Sequence, residues 1–303
     1  MKTIKTPKDK ILISFSGGET SGFMINWLLN NMPNNEYRCV FANTGEENEE
    51  TLEFVQKCSE FFNIPITWVE YERLGYKEVD YHTAYRSHDP VELANGWKNH
   101  PFRNYISEFG IPNEQNMTCS RELKERIIRR YMSSDIGWKP STYDIAIGIR
   151  ADEVNRIGQF YYPLLQINCT KEMVNAFWSK MPFRLELKGW EGNCKVCWKK
   201  SFRKLVTIAR HHPERFAFFK QMEEEYGDYL KPGREQQRER IIFPIHFFRV
   251  NKSVDDIFLI SKDLSIEDAH DDTLNTNYQT SLWNDGTELD VINGCVESCD
   301  AFN

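Results

Sequence analysis

The stretch that decides the fold is residues 11–22, Ile11-Leu12-Ile13-Ser14-Phe15-Ser16-Gly17-Gly18-Glu19-Thr20-Ser21-Gly22. Its largely apolar beginning predicts a buried strand, and the chain then passes through Ser-Gly-Gly into a helical pattern. Glycines let the backbone turn tightly and approach a ligand, while free N–H groups at a helix start attract an anion. The segment therefore predicts a phosphate-binding loop, to which Ser16, Thr20 and Ser21 add hydroxyl groups; a simple glycine-rich turn is the alternative.

The spacing within this loop differs from both common nucleotide-binding loops. It fits neither the Walker A pattern nor the G-x-G-x-x-G pattern. Ser-Gly-Gly-x-Thr-Ser after a first strand resembles the pyrophosphate loop of the adenine nucleotide α-hydrolase superfamily, which includes ATP pyrophosphatases, tRNA thiolases and phosphoadenosine phosphosulfate (PAPS) reductases. The resemblance implies that an adenine nucleotide binds at residues 16–21.

Length and composition exclude several classes of protein. A chain of 303 residues with 40% hydrophobic residues folds around a core, and no run approaches the roughly 18 apolar residues of a membrane span. Because the N-terminus lacks the apolar segment of a signal peptide, we expect a cytoplasmic protein. Disulfides are then not expected among its eight cysteines, and clustered cysteines are interpreted as metal ligands or reactive thiols. Cys39, Cys58 and Cys169 are expected to be small core or surface residues. A net charge of −7 argues against indiscriminate nucleic-acid binding, although it permits a local basic groove.

The first half of the chain alternates short apolar runs with helical patterns. This alternation predicts a doubly wound, mainly parallel α/β sheet. The long connection from Glu72 to Thr118 is predicted to be a functional or covering segment. The strand candidates are Ile11–Phe15, Arg38–Ala42, Ile66–Tyr71 and Tyr143–Ile149, and the helix candidates are Thr20–Asn30, Glu47–Phe62 and Ser120–Tyr131.

The second half reads as mainly helical, with candidates at Lys171–Met181, Lys199–His211 and Pro213–Tyr226. We therefore divide the chain into a nucleotide-binding α/β domain (1–165), a helical region with a C-x-x-C knuckle (166–264) and an acidic C-terminal tail (265–303).

Polar residues follow two of the predicted strands. The second strand leads into Asn43-Thr44-Gly45-Glu46, where Asn43 could bind an adenine edge, although a turn with acidic residues at a helix start is the alternative. The last strand leads into Arg150, with Asp152 and Glu153 close behind. An arginine guanidinium can donate two parallel hydrogen bonds to a phosphate or a sulfate, so Arg150 is a candidate ligand for such a group. An exposed ion pair between Arg150 and an acidic neighbour is the alternative.

The cysteines outside predicted core positions suggest metal or thiol chemistry. Cys119 stands at a helix start near Arg121 and Lys124, an environment that lowers a thiol pKa. The knuckle Cys194-Lys195-Val196-Cys197 lies among charged residues, which predicts a position outside the core, and its spacing lets both thiolates reach one ion. A closed site or cluster needs two further thiolates, and the candidates are Cys119, Cys295 and Cys299. Zinc bound by Cys194, Cys197, Cys295 and Cys299 would fix the tail to the body.

Together these segments resemble the PAPS reductase family, especially its phage and bacterial members, over nearly the whole chain. The resemblance rests on motifs that occur in the expected order: residues 15–21, 41–45 with Glu50-Thr51-Leu52, Cys119-Ser120-x-Glu122-Leu123-Lys124, Gly148-Ile149-Arg150-Ala151-Asp152-Glu153, Tyr162-Pro163-Leu164, Gly192-Asn193-Cys194-x-x-Cys197 and Gly294-Cys295-x-x-Ser298-Cys299.

The family resemblance implies residue roles. Phosphate would be held by Ser16, Gly17, Gly18, Thr20 and Ser21, the adenosine would be bordered by Asn43, Thr44, Gly45 and Glu46, and the phosphosulfate or pyrophosphate would face Lys124 and Arg150. Relatives with an iron–sulfur cluster of the 4Fe-4S type bind it through a Cys-Cys pair and a later C-x-x-C. Here only Cys119 of that pair is present. A cluster on Cys119, Cys194 and Cys197 would therefore leave one iron without a protein ligand or take its fourth ligand from the tail cysteines. The nucleophilic C-terminal cysteine of the reductases is followed by Gly and His, whereas Cys299 is followed by Asp300.

The expected activity is that of a PAPS reductase-like enzyme that reduces or transfers sulfur with PAPS or ATP, with Cys119, Lys124 and Arg150 in catalytic roles. ATP-dependent thiolation of tRNA or DNA is one alternative, and a non-catalytic, metal-stapled nucleotide-binding protein is another. The expected partners are the nucleotide, a thiol reductant or sulfur donor and a second copy of the chain in a homo-oligomer, with no membrane.

Overall fold

The computed structural model describes residues 6–73, 75–86, 94–271, 273 and 302. Within these residues, no helix combines the length and the apolar character that crossing a bilayer requires.

Five strands form one sheet: β1 (Lys10–Phe15), β2 (Glu36–Asn43), β3 (Ile66–Glu72), β4 (Gly75–Val79) and β5 (Asp144–Ala146). Their order across the sheet is β4-β3-β2-β1-β5. β1 pairs in parallel with β2 and β5, β2 pairs in parallel with β3, and β4 alone runs antiparallel to its neighbour β3. The predicted mainly parallel α/β sheet is therefore confirmed.

Helices cover both faces of this sheet. They are α1 (Glu19–Asn31), α2 (Glu49–Phe61), α3 (Tyr81–Tyr85), α4 (Pro101–Phe109), α5 (Arg126–Ser134), α6 (Lys171–Trp178), α7 (Phe202–His211), α8 (Ala217–Tyr226) and α9 (Val254–Ser261). A π-helical turn, Arg121–Glu125, leads directly into α5.

The alternation of side chains along β1 sends successive residues into two cores. Ile11 and Ile13 pack with α1, α2 and Trp178 of α6 on one face. Leu12 belongs to the core on the other face, which also contains Leu205 of α7 and Ile257 of α9. The helical second half therefore completes a core that the sheet begins.

The last predicted strand, Tyr143–Ile149, is shorter than expected. β5 ends at Ala146 because the next residues pair with a crossing segment: Ile147 N donates to Tyr161 O (3.0 Å), and Tyr161 N donates to Ile145 O (2.9 Å). The outer edge of β5 is thereby covered by Tyr161. The connection from Glu72 to Thr118, in which the sequence placed no helix or strand, contains β4, α3 and α4.

The chain leaves β1 in one direction across the sheet towards β2, and β5 lies on the other side of β1. The position between β1 and β5 is thus the topological switch point, at which open α/β sheets bind ligands. The loop after β1 and the segment after β5 both emerge there.

Candidate functional site

The loop after β1 is held in shape by its own side chains. Gly17 has a φ of +79°, and a Cβ on it would lie 2.6 Å from Cγ2 of Thr51, so the position requires glycine. The Oγ atoms of Ser16 and Ser21 lie 2.9 Å apart, and Ser21 Oγ donates to Gly18 O. Both serine hydroxyls therefore stabilise the loop itself.

The start of α1 offers backbone donors. Gly18 is its N-cap, and no side chain of the described residues forms a capping hydrogen bond at this helix end. The first N–H groups of an α-helix have no partner within the helix, and the helix dipole adds partial positive charge there. The segment after β5 comes close, because a Cβ on Gly148 would lie only 2.9 Å from Ser21 Cα.

Arg150 brings a fixed positive charge to the same place. The residue is 4% exposed, and its Nη1 donates to Thr20 Oγ1 at 3.1 Å. Its Nε donates to Asp152 Oδ1 at 3.0 Å, and its backbone N–H donates to Glu153 Oε2. The arrangement holds the guanidinium beside the start of α1, where an anion would be attracted by both.

A cleft of about 710 Å³ opens over these groups. Of the predicted residues it is lined by Gly18, Thr20, Arg150 and Glu153. Among its other polar lining residues, Lys171, Asn175 and Lys188 had no predicted binding role, because they come from segments distant in sequence that carry no nucleotide-binding motif.

Glu19 places a carboxylate at the cleft, but that charge is neutralised. Arg184 donates to both of its oxygens, at 3.0 and 2.9 Å, and Trp178 Nε1 donates to Glu19 O at 2.9 Å. The helical half of the chain thus fixes the loop and reduces the repulsion that Glu19 would exert on an anion.

The residues predicted to border the adenosine have other contacts. Asn43 Nδ2 donates to Glu70 Oε1 (2.7 Å), and Asn43 Oδ1 accepts from Gly45 N. Thr44 and Glu46 line a different cavity from the cleft. An adenosine-binding role for this segment stays a prediction.

That second cavity, about 470 Å³, is lined by Cys119, Cys194 and Cys197, and we call it the thiol cavity. Lys124 also lines it, with Nζ 3.5 Å from Glu47 Oε1. The structure therefore brings the three predicted cysteines together. It places Lys124 and Arg150 at different cavities, although both were expected to face the same end of the nucleotide.

The knuckle separates the two cavities. Asn193 lines the cleft, and the next residue, Cys194, lines the thiol cavity. Asn193 Nδ2 donates to Ser16 O at 2.6 Å, while Asn193 O accepts from Asn48 N at 2.8 Å. Lys195 N donates to Glu46 O, which fixes the knuckle to the segment after β2.

The charged surroundings of the knuckle predicted a position outside the core, and this prediction was wrong for Val196 and for the neighbouring Trp198, whereas Cys194 and Cys197 are half-buried. Val196 is 1% exposed and Trp198 6%, because the knuckle packs between the loops of the sheet and the aromatic core. Among the basic residues, Lys200 is also buried and donates through Nζ to Glu191 O.

The metal prediction gains no support from the described part of the chain. There, no group of three or more His, Cys, Asp or Glu residues is arranged to hold a metal ion. Cys295 and Cys299 lie outside the described residues. We therefore derive no chemical step through a metal.

The other described cysteines are core residues, as the sequence indicated: Cys39, Cys58 and Cys169 are at most 2% exposed. Burial raises their thiol pKa values, to about 11 for Cys169, and so disfavours the reactive thiolate.

Comparison with known proteins places this geometry in context. Residues 10–121 match the phosphoadenosine phosphosulfate reductase domain. An uncharacterized nin region protein, ORF290, of Escherichia phage lambda is 27% identical over 239 residues, which cover 77% of this chain and 80% of that protein. No solved structure is a significant match. Residues 10–121 are thus similar to a phosphoadenosine phosphosulfate reductase domain, in agreement with the resemblance predicted from the motifs of that stretch.

Proposed function

We propose that the protein binds an adenine nucleotide, PAPS or ATP, in the cleft and uses it in sulfur chemistry. The observation that carries the proposal is the meeting of the uncapped start of α1 with the buried guanidinium of Arg150 at the topological switch point. Thr20, Gly18 and Arg150 would bind the phosphate or phosphosulfate oxygens. The match to the PAPS reductase domain supports the nucleotide class.

In the reductase form of this proposal, a thiolate attacks the sulfate sulfur and Arg150 stabilises the leaving phosphate. In the thiolation form, ATP transfers its AMP group to an oxygen of the acceptor with release of pyrophosphate, and sulfide delivered by a sulfur donor at the neighbouring cavity then displaces AMP. The second form is favoured by one observation: the three half-buried cysteines line a cavity beside the cleft, so a second substrate has a place of its own.

Calorimetric titration of the protein with ATP and with PAPS tests nucleotide binding, and the expected result is saturable binding of at least one of them. Sulfite release from PAPS with a thiol reductant would identify the reductase, whereas thio-modified RNA or DNA would identify the thiolase. If neither nucleotide binds to folded protein, the assignment of the cleft is wrong.

The metal centre is tested separately, by metal analysis and visible spectroscopy after purification without oxygen. The cluster prediction rests on Cys119, Cys194 and Cys197, and the zinc prediction rests on the knuckle together with the tail pair. If iron remains bound after Cys295 and Cys299 are replaced by serine, the metal centre is the cluster. If zinc is lost in that variant, the metal centre is the zinc site that fixes the tail to the body. Absence of both metals from wild-type protein would contradict both predictions.

A further inference from the structure

We infer that the protein binds a single-stranded nucleic acid at a pocket between the end of α4 and the segment that follows α8. The pocket has a volume of about 620 Å³, and among the described residues it shares none of its lining with the cleft or the thiol cavity. The inference therefore goes beyond the proposed function. We call this site the basic pocket, and the residues that line it include Phe109, Gln115, Tyr229, Lys231, Arg234 and Ile242.

The segment that forms one side of the pocket, residues 231–252, is basic in an acidic protein. It contains six Lys or Arg residues and two Glu residues, so its net charge is +4, whereas that of the whole chain is −7. Within the part of the chain that the structure describes, none of the six forms an ion pair with a carboxylate. They are Lys231, Arg234, Arg238, Arg240, Arg249 and Lys252. Concentrated positive charge without acidic partners attracts a polyanion.

Two of these cations line the basic pocket itself. Lys231 and Arg234 are both partly exposed, and no Asp or Glu is among the described residues that line the pocket. Lys231 Nζ lies 4.1 Å from the centroid of the Phe109 ring, a cation–π contact that holds the ammonium group at the wall. The pocket therefore offers an ammonium and a guanidinium group to an anion such as a phosphate.

The rest of the wall suits a flat ring with a polar edge. Phe109 and Tyr229 supply aromatic surface, and Ile242 supplies an aliphatic side chain on a residue that is 67% exposed. Gln115 is an exposed residue, and its side-chain amide has no hydrogen bond to another described residue. An unstacked base could pack on these side chains, while the amide could donate to and accept from the polar edge of the base.

A second contact between a cation and a ring lies beside the pocket. Arg238 Cζ is 4.9 Å from the centroid of the Phe243 ring, and Arg238 O accepts a hydrogen bond from N of Ile241, which lines the pocket. Proteins that bind single strands combine cations along the backbone with aromatic rings for the bases. The segment repeats this combination outside the pocket, so a strand could continue beyond it.

These features decide between classes of polyanion. An anionic membrane surface could meet the cations and Ile242, but it is too flat to enter a concave pocket. A nucleic-acid duplex keeps its bases stacked, and an acidic peptide would pair with the cations without filling the aromatic wall. A single strand supplies both phosphates and unstacked bases, and it therefore fits the whole pocket.

Binding is measured by fluorescence anisotropy with labelled single-stranded RNA and DNA dodecamers of mixed sequence, over a series of potassium chloride concentrations. We expect saturable binding of at least one of the two strands. The logarithm of the association constant should fall with the logarithm of the salt concentration with a slope of at least about −1.4, since each phosphate contact to a single strand contributes about −0.7. Duplex DNA of the same sequence, phosphatidylserine vesicles and polyglutamate serve as unlabelled competitors, and each should compete less well than the unlabelled strand.

Two variants locate the strand in the basic pocket. The double variant Lys231→Ala/Arg234→Ala should make the salt slope less steep by about 1.4, because two phosphate contacts are lost. Gln115→Ala should raise the dissociation constant about 2-fold to 10-fold, the effect of one hydrogen bond, without changing the slope. Lys139→Ala/Lys180→Ala is the matched control, because it removes the same charge from two exposed residues that do not line the pocket. Thermal midpoints of all variants exclude a folding defect.

The inference is overturned if neither strand binds wild-type protein at low salt, if the control double variant changes the slope as much as the pocket variant, or if any of the three competitors matches the unlabelled strand. Unchanged affinity in Gln115→Ala would refute the placement of a base in the pocket. The proposed function is tested separately. ATP binding without strand binding refutes this inference alone, whereas strand binding by wild-type protein that binds neither ATP nor PAPS refutes the proposed function alone.

Discussion

Replacing Arg150 by lysine should weaken nucleotide binding strongly while leaving the fold intact. Lysine keeps the positive charge, but it cannot donate to Thr20 Oγ1 and Asp152 Oδ1 at once and still offer a paired donor to a phosphate. Losing one charge-assisted hydrogen bond costs about 1.5–3 kcal/mol, which corresponds to a dissociation constant roughly 10-fold to 150-fold higher.

The assay is calorimetric titration with ATP and with PAPS, accompanied by thermal unfolding of each variant. Arg103→Lys is the matched control, since Arg103 forms a comparable two-point pair with Glu225 and does not line the cleft. An Arg150→Lys affinity within about twofold of wild type, in a normally folded protein, would show that Arg150 serves only as an ion-pair partner of Asp152 and Glu153.

Three further outcomes are expected. Asn193→Ala removes the donor to Ser16 O and should destabilise the protein by about 1–3 kcal/mol and weaken nucleotide binding. Asn30→Ala changes an exposed side chain and should do neither. If the two variants have equal effects on urea unfolding and on nucleotide titration, the role of Asn193 is contradicted. In native protein, iodoacetamide should label Cys119, Cys194 and Cys197 before Cys39, Cys58 and Cys169, whose thiol pKa values are raised by burial; mass spectrometry of the labelled sites would expose the reverse order. Burial also raises the pKa of the Glu223 carboxyl group to about 7, so the folded state binds the carboxyl proton more tightly than the unfolded state does. The resulting stabilisation, about 3 kcal/mol, is present below pH 4.5 and is lost as pH rises to 7. Glu223→Gln should flatten this part of a curve of unfolding free energy measured between pH 4.5 and 8, and an unchanged slope would refute the assignment.

The sequence predicted the sheet and the position of the cleft because both depend on local patterns. The Ser16–Ser21 loop and Arg150 each follow a strand, and parallel strands bring such residues to one edge. β4 was missed, since it is a five-residue, largely polar strand that begins three residues after β3 ends.

The outer wall of the cleft was not predictable in the same way. Lys171, Asn175 and Lys188 meet the loop only through tertiary packing of the helical half. The division between two cavities was also beyond motif analysis, because the wall is a single segment whose neighbouring residues, Asn193 and Cys194, face opposite sides. The spacing in sequence placed Lys124 close to Cys119, but it could not show that the knuckle separates Lys124 from Arg150.

The covering of β5 by Tyr161 bears on how copies of this chain could associate. An unpaired strand edge is a template on which a second chain can add a strand. Here one edge is occupied by the two Tyr161 hydrogen bonds, and the other, β4, is short and carries Lys77 and Glu78. A continuous sheet that runs from one copy into the next is therefore disfavoured, and a homo-oligomer of this protein would form through its helices and loops.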